Sequence, residues 1–290
     1  MPKYFLAITL ALCILSTVTH AEQIEPMISD SYAGGFKDDF PELHNRVRTL
    51  MSAARQEIFA RLGLLQANQV FSNPVTVTFT DGASAVSENP FFYVQIAPPG
   101  QPFGQNLVAN VEAYAHHRHR TPSSEDEQHA VHNAFYYAMT ELILNDLAAG
   151  QPDKILPPWA QEGLAVYLSG SGPDWVKGAA EHTPRSRAHE LSLELNRSFP
   201  FLNKQHYAQY YLAIQYLYDT GGVNALQQFV REIVAGQSAA EAVHDTLGQY
   251  WPDFERNVHA YSESAFQAVA PPDDDPQFTN PNAVTWPSTR

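Results

Sequence analysis

Between Pro41 and Leu62 the apolar residues Leu43, Val47, Leu50, Met51, Ala54, Ile58 and Leu62 recur at three- and four-residue intervals, and Gly63 follows them. That spacing lines one face of a helix and suits no strand, so this segment is committed to an amphipathic helix that needs a surface to bury against. Thr121-Pro-Ser-Ser-Glu-Asp-Glu opens a second helix. A hydroxyl caps its first turn, and carboxylates face the positive end of its dipole. This helix is predicted over residues 124–149, ending at Gly150. After Pro157 and Pro158 a short helix is expected from Trp159 to Leu168, closed by Ser169-Gly170-Ser171-Gly172. Beyond it, helical patterns run over residues 186–197, 205–219, 223–235, 238–247 and 252–268, with Gly221-Gly222, Gly236 and Gly248 as punctuation.

Strand signals are confined to two places. Residues 74–80 alternate and are rich in β-branched side chains, and Phe91-Phe-Tyr-Val-Gln-Ile96 repeats the signal before Pro98-Pro99-Gly100. The segment from Asn106 to Tyr114 joins them without a clear type. The predicted class is α+β, predominantly helical, with a small sheet packed on helices.

Three further properties bound the chain. Met1-Pro-Lys-Tyr, the apolar run from Phe5 to Val18 and the small-x-small site Thr19-His20-Ala21 read as a secretory signal peptide cleaved after Ala21. A secreted or periplasmic protein is therefore expected, with a domain over residues 22–270 and a disordered tail rich in proline and aspartate over 271–290. The sole cysteine, Cys13, falls within the signal. Disulfides are thereby excluded, and stability must come from a core, for which some 250 residues suffice. Finally, 17 Lys+Arg against 31 Asp+Glu give a net charge of −14. That balance argues against nucleic acid or an anionic membrane surface as partner. No segment after the signal is apolar and long enough to span a membrane. Oligomeric state is not legible.

The sharpest local string is Leu156-Pro-Pro-Trp-Ala-Gln-Glu-Gly-Leu-Ala-Val-Tyr-Leu-Ser-Gly170. It resembles the segment of peptidase MA-like, gluzincin-type zinc metallopeptidases in which a helix after Pro-x-Trp presents a glutamate, here Glu162, as the third zinc ligand. The order of elements around it, from about Pro41 to Ala268, resembles that family too, including Tyr207-Ala-Gln-Tyr-Tyr-Leu-Ala-Ile-Gln-Tyr-Leu-Tyr-Asp-Thr-Gly-Gly222. The resemblance implies a zincin-like fold, zinc as cofactor, and hydrolysis of a peptide substrate by metal-bound water.

In that family the long helix carries HExxH, because histidines four residues apart share one helical face and reach one zinc. No histidine here has a histidine at i+4: His129 meets Asn133, His132 meets Tyr136 and His189 meets Leu193. One register sets Gln128-His129-Ala-Val-His132 over the motif, and another sets His132 to Tyr136 over it. Both lose the catalytic glutamate. A repaired site would take His129, His132 and Glu162 as metal ligands, with Glu125 or Glu127 as base. Tyr210, beside Tyr207, Tyr211 and His206, is the candidate to steady an oxyanion, against a plain packing role.

Other histidines carry weaker readings. His189-Glu190-Leu-Ser-Leu193 follows the Glu162 helix, the wrong order for this family, and reads as a surface decoy. His116, His117 and His119 make a basic loop that could also capture a metal. Two functional readings stand: a diverged zinc peptidase, and a pseudopeptidase that binds peptides or scaffolds in the cell envelope without catalysis. A metal-binding protein built on the histidine loop is a third.

Overall fold

From Val131 to Leu144 the chain carries one carboxylate and no lysine or arginine, too little charge to give a helix a wet side. Such a segment must be surrounded. In the computed structural model it forms the middle of α2, Ser124–Ala149, and the helix is central: Val131, Phe135, Tyr136, Ala138, Met139, Leu142, Ile143 and Leu144 are all buried. The structure describes residues 27–29, 41–64, 75–80, 91–96, 105–110, 124–149, 156–195 and 202–275. The expected signal peptide, the His116–His119 segment and the tail beyond residue 275 lie outside the described residues.

One side of α2 is covered by a four-stranded sheet. Its strands are β1 (Met27–Ser29), β2 (Val75–Thr80), β3 (Phe92–Ile96) and β4 (Gln105–Asn110), in the order β1-β2-β4-β3. β1 pairs with β2 and β2 with β4 in parallel, whereas β3 runs antiparallel to β4. The segment whose type the sequence left open is thus partly strand, inserted between β2 and β3. Val77 and Val94 both pair with Leu107 across the register. Phe92 meets Phe135 of α2 edge-on at 5.3 Å. Another side of α2 receives the amphipathic α1, Pro41–Leu62, through Val47, Met51, Ala54, Ile58 and Leu62.

The third partner of α2 is α3, Pro158–Ser169, which lies between α2 and the long α5, Lys204–Val234. Pro158 in the first turn needs no backbone partner, and Gly170 closes α3 with φ of 78°. Trp159 is fully buried against Phe229 of α5 and against Trp251 and Phe254 of α7, Trp251–Val269, at ring distances of 5.6 to 5.9 Å. α6, Ala239–Leu247, starts from a capping box in which Ser238 and Glu241 satisfy each other's backbone N–H groups.

Several sequence expectations change on contact with the structure. Gly172–Ala180 is a helix, α4, although Gly172 was read only as a stop. Of the helix expected over residues 186–197, the described part, to residue 195, is not α-helical; the chain makes the 3-10 helix Arg185–Leu191, which aligns side chains three apart and lets Arg187 donate twice to Glu190. The two helices expected on either side of Gly221-Gly222 are, by contrast, both present: they meet at a kink where Gly222 leaves helical geometry, and together they make up α5. Residues 271–275 pack on the 3-10 segment, where the Arg185 N–H donates to the Pro271 carbonyl at 3.0 Å and the Ser186 N–H to Asp273 Oδ1 at 2.8 Å. No described helix is long and apolar enough to cross a membrane.

Candidate functional site

The single carboxylate in the apolar middle of α2 is Glu141, and it points at α3. Residues four apart on a helix stand about 40° apart, so Tyr137 and Glu141 share one face. Glu162 of α3 meets that face: the Tyr137 hydroxyl donates a hydrogen bond to Glu162 Oε2, and the Glu141 and Glu162 carboxylates feel each other's charge. One turn further along, Gln161 Nε2 donates to Asn145 Oδ1 at 3.2 Å, fixing the register of the two helices.

The third wall comes from α5, and a glycine sets its distance. A Cβ on Gly163 would lie 2.4 Å from the Tyr210 carbonyl oxygen and 2.8 Å from Ile214 Cγ1, so only glycine allows the α3 and α5 backbones to meet here. The approach brings Tyr210 close enough to Glu162 for the carboxylate to bear on its hydroxyl, and it sets the Tyr207 ring 6.4 Å from that of Tyr137. Trp175 of α4 packs on the outer side of Tyr207 at 4.9 Å. The start of α5 is held by Asn203, which accepts from the Gln205 and His206 N–H groups while His206 Nδ1 returns a contact to the Asn203 N–H.

The electrostatics follow from two acids in one partly buried place. Burial drives the Glu162 carboxyl upward, with the Tyr137 hydrogen bond opposing it. Burial also raises Glu141 well above the usual carboxylate range, and the neighbouring Glu162 charge adds to the effect. Tyr137 is pushed up by burial, then by Glu141 and Glu162, and stays a proton donor. Tyr210 is raised by burial and by Glu162. Two carboxylates this close share their protons as a unit.

His129 and His132 stand elsewhere. His132 is nine positions from Glu141, about 180° around the helix, and it faces α1. Its ring stacks on Tyr136 at 4.1 Å, and it lies within range of Glu57 and Arg46. Burial lowers its pKa, Glu57 raises it, and His129 and Arg46 lower it further. Tyr136 donates to Glu57 Oε2 at 2.7 Å, and burial with that bond pushes its hydroxyl up to about 12. His129 is exposed. The expected metal set of His129, His132 and Glu162 is therefore not assembled: the histidines take the α1 side of α2, and Glu162 takes the α3 side. Among the described residues no three histidine, cysteine or acidic side chains gather to hold a metal ion. Glu125 lies in the first turn of α2, more than four turns before Glu141, and the side chains of that turn are outside the described residues. Tyr210 does reach Glu162, buried to 1% exposure. His189 is exposed, with Nδ1 3.2 Å from the Ser186 carbonyl, as a surface residue should be.

Zinc of the kind the resemblance implies needs two imidazoles beside the glutamate. The side chains that α2 presents to Glu162 are instead a phenol and a carboxylate, and the phenol already donates to Glu162. This donor set does not fit that ion. Tyr137-Ala-Met-Thr-Glu141 contains no histidine and so carries no metal-motif signal. The available signal was Glu141 itself, the one acid in the apolar stretch from Val131 to Leu144. No family model, curated protein or solved structure matches this chain.

Proposed function

We propose that this protein is an exported pseudopeptidase: a peptidase MA-like scaffold that binds a peptide or protein segment and does not hydrolyse it. The observation that carries the reading is the Tyr137–Glu162 hydrogen bond with Glu141 beside it. By the resemblance, Glu162 is where a zinc ligand belongs, and the i, i+4 pair facing it is where HExxH belongs. A tyrosine and a glutamate there, with alanine at position 138 in place of the base, remove both the metal and the proton acceptor while keeping the helices in register. The partly buried acids Glu141 and Glu162 remain as hydrogen-bonding groups suited to peptide N–H groups.

The test is the metal content, by elemental mass spectrometry, of the mature protein dialysed against zinc, alongside release of fluorescent fragments from labelled casein. The expected result is no stoichiometric zinc and no casein cleavage, with fluorescence anisotropy reporting casein-peptide binding that Glu162→Ala weakens. Stoichiometric zinc that disappears in His132→Ala and Glu162→Ala would overturn the proposal in favour of the diverged hydrolase.

A further inference from the structure

At the far end of α5 the chain turns through Gly236 into α6 and then α7, and the corner forms an open cavity of about 870 Å³. Its chemistry is uneven. Tyr250 and Trp251 supply aromatic faces, Glu241 and Asp245 supply carboxylates, His244 and Pro252 complete the wall, and no lysine or arginine lines it. We propose that this cavity binds an arginine side chain presented by a partner peptide, a site independent of the Glu162 cluster and of the reading given to it.

The walls are fixed before any ligand arrives. Trp251 packs 5.9 Å from the core Trp159 and 5.5 Å from Phe254, so its ring is anchored from behind. His244 lies 4.9 Å from the Tyr250 ring. Gln228 of α5 donates to Glu232 Oε1 at 2.7 Å and to the Asp245 carbonyl at 3.4 Å, stitching α6 to α5. Tyr250 nevertheless remains 68% exposed, an aromatic face with little protein over it.

The occupant is chosen by charge and by hydration. Aromatic faces carry negative potential and attract cations, arginine most often, and the two carboxylates add to that attraction. Hydrogen bonds from the Ser238 N–H and hydroxyl lower Glu241 below the usual carboxylate range, so it is ionised at neutral pH. Asp245 is half-exposed and accepts only long contacts, from Gln237 Nε2 at 3.4 Å and from His244 Nδ1 at 3.4 Å, which leaves its carboxylate available. A compact metal ion would need more oxygen ligands than these two acids offer. A planar, weakly hydrated guanidinium needs one carboxylate and a ring to lie on. The net charge of −14 favours the approach of a basic segment.

The experiment is calorimetric titration of the full-length mature protein with a blocked pentapeptide containing two arginines, against the same peptide with citrulline in their place. Citrulline keeps the shape and removes the charge. The arginine peptide is expected to bind about fivefold more tightly or better, with affinity falling as salt rises. Tyr250→Ala and, separately, Asp245→Asn are each expected to reduce that affinity about fivefold while Glu263→Gln, toward the other end of α7, leaves it unchanged. Unchanged thermal unfolding in each variant separates loss of the site from loss of fold. Absence of saturable heat, equal binding of the two peptides, or full affinity in both site variants overturns the proposal.

Discussion

Tyr137 of α2 donates its phenolic hydrogen to Glu162 of α3, a bond that ties together the two helices carrying the candidate site. The same bond favours the ionised form of Glu162, against burial, which acts more strongly in the opposite direction. Tyr137→Phe keeps the ring against Tyr207 and deletes the donor. The variant is expected to lose about 1–3 kcal/mol of stability at neutral pH, the cost of leaving a partly buried carboxylate without its donor. Urea unfolding measures it, and carbon-13 titration of Glu162 should show its pKa moving further up.

The Glu141 and Glu162 pair gives the fold a pH dependence of definite sign. Both carboxyls are raised in the folded state, so the native protein holds their protons more tightly than the unfolded chain does. Their contribution to stability is fully present below the unfolded carboxylate pKa of about 4.3, and it is lost as pH rises through the higher folded values. Glu141→Gln removes one of the two and relieves the other of a like charge. Urea midpoints taken from about pH 4 to about pH 8 are expected to show the wild type losing more stability with rising pH than the variant does, a comparison that cancels the opposite contribution of groups such as His132. Wild-type and variant curves that stay parallel would contradict the direction of both shifts.

The α3–α5 contact predicts a large penalty from a small change. Gly163→Ala places a methyl 2.4 Å from the Tyr210 carbonyl oxygen, and backbone cannot move aside as a flexible side chain can. The helices must separate, at a cost of about 1–3 kcal/mol or more. Because Tyr207 and Tyr210 ride on the displaced helix, near-ultraviolet circular dichroism should change together with the urea midpoint. An unaltered spectrum at full stability would show that the approach is looser than the geometry requires.

Most of the fold was legible because the signals that encode it are local. The span of α2 follows from its capping residues and Gly150, and that of α1 from apolar spacing ended by Gly63. What escaped depends on partners far away in sequence. Gln105–Asn110 becomes a strand because β2 and β3 flank it, and its own residues give a weak β signal. Gly172–Ala180 is helical despite following a serine and glycine cluster, because Val176 and Ala180 bury against α5 and α7. In the site, Glu162 was legible from its own string, Tyr210 from its helix. The pairing with Tyr137 and Glu141 was not, because the choice of face on α2 is decided by packing: the sheet and α1 take the sides that would have turned His132 away from them.

Gly222 tests backbone conformation where sterics are absent. Its φ of 73° and ψ of −172° interrupt α5 at the bend, in a region open to glycine and closed to residues with a Cβ. No atom lies within 4 Å of where a Cβ would sit, so a substitution here meets no neighbour. Any cost of Gly222→Ala is therefore conformational, about 1–3 kcal/mol, and it must be relieved by straightening α5 or by local fraying. Straightening would swing the second half of α5, with Phe229 and Val230, away from Trp159 and α3. Fraying would leave that packing intact. Hydrogen exchange distinguishes the two: protection lost only around residues 219–224 means fraying, and protection lost also around Trp159 means that the bend is what closes the core over α3. A variant as stable as the wild type would show that alanine reaches this backbone state without strain, against the conformational argument.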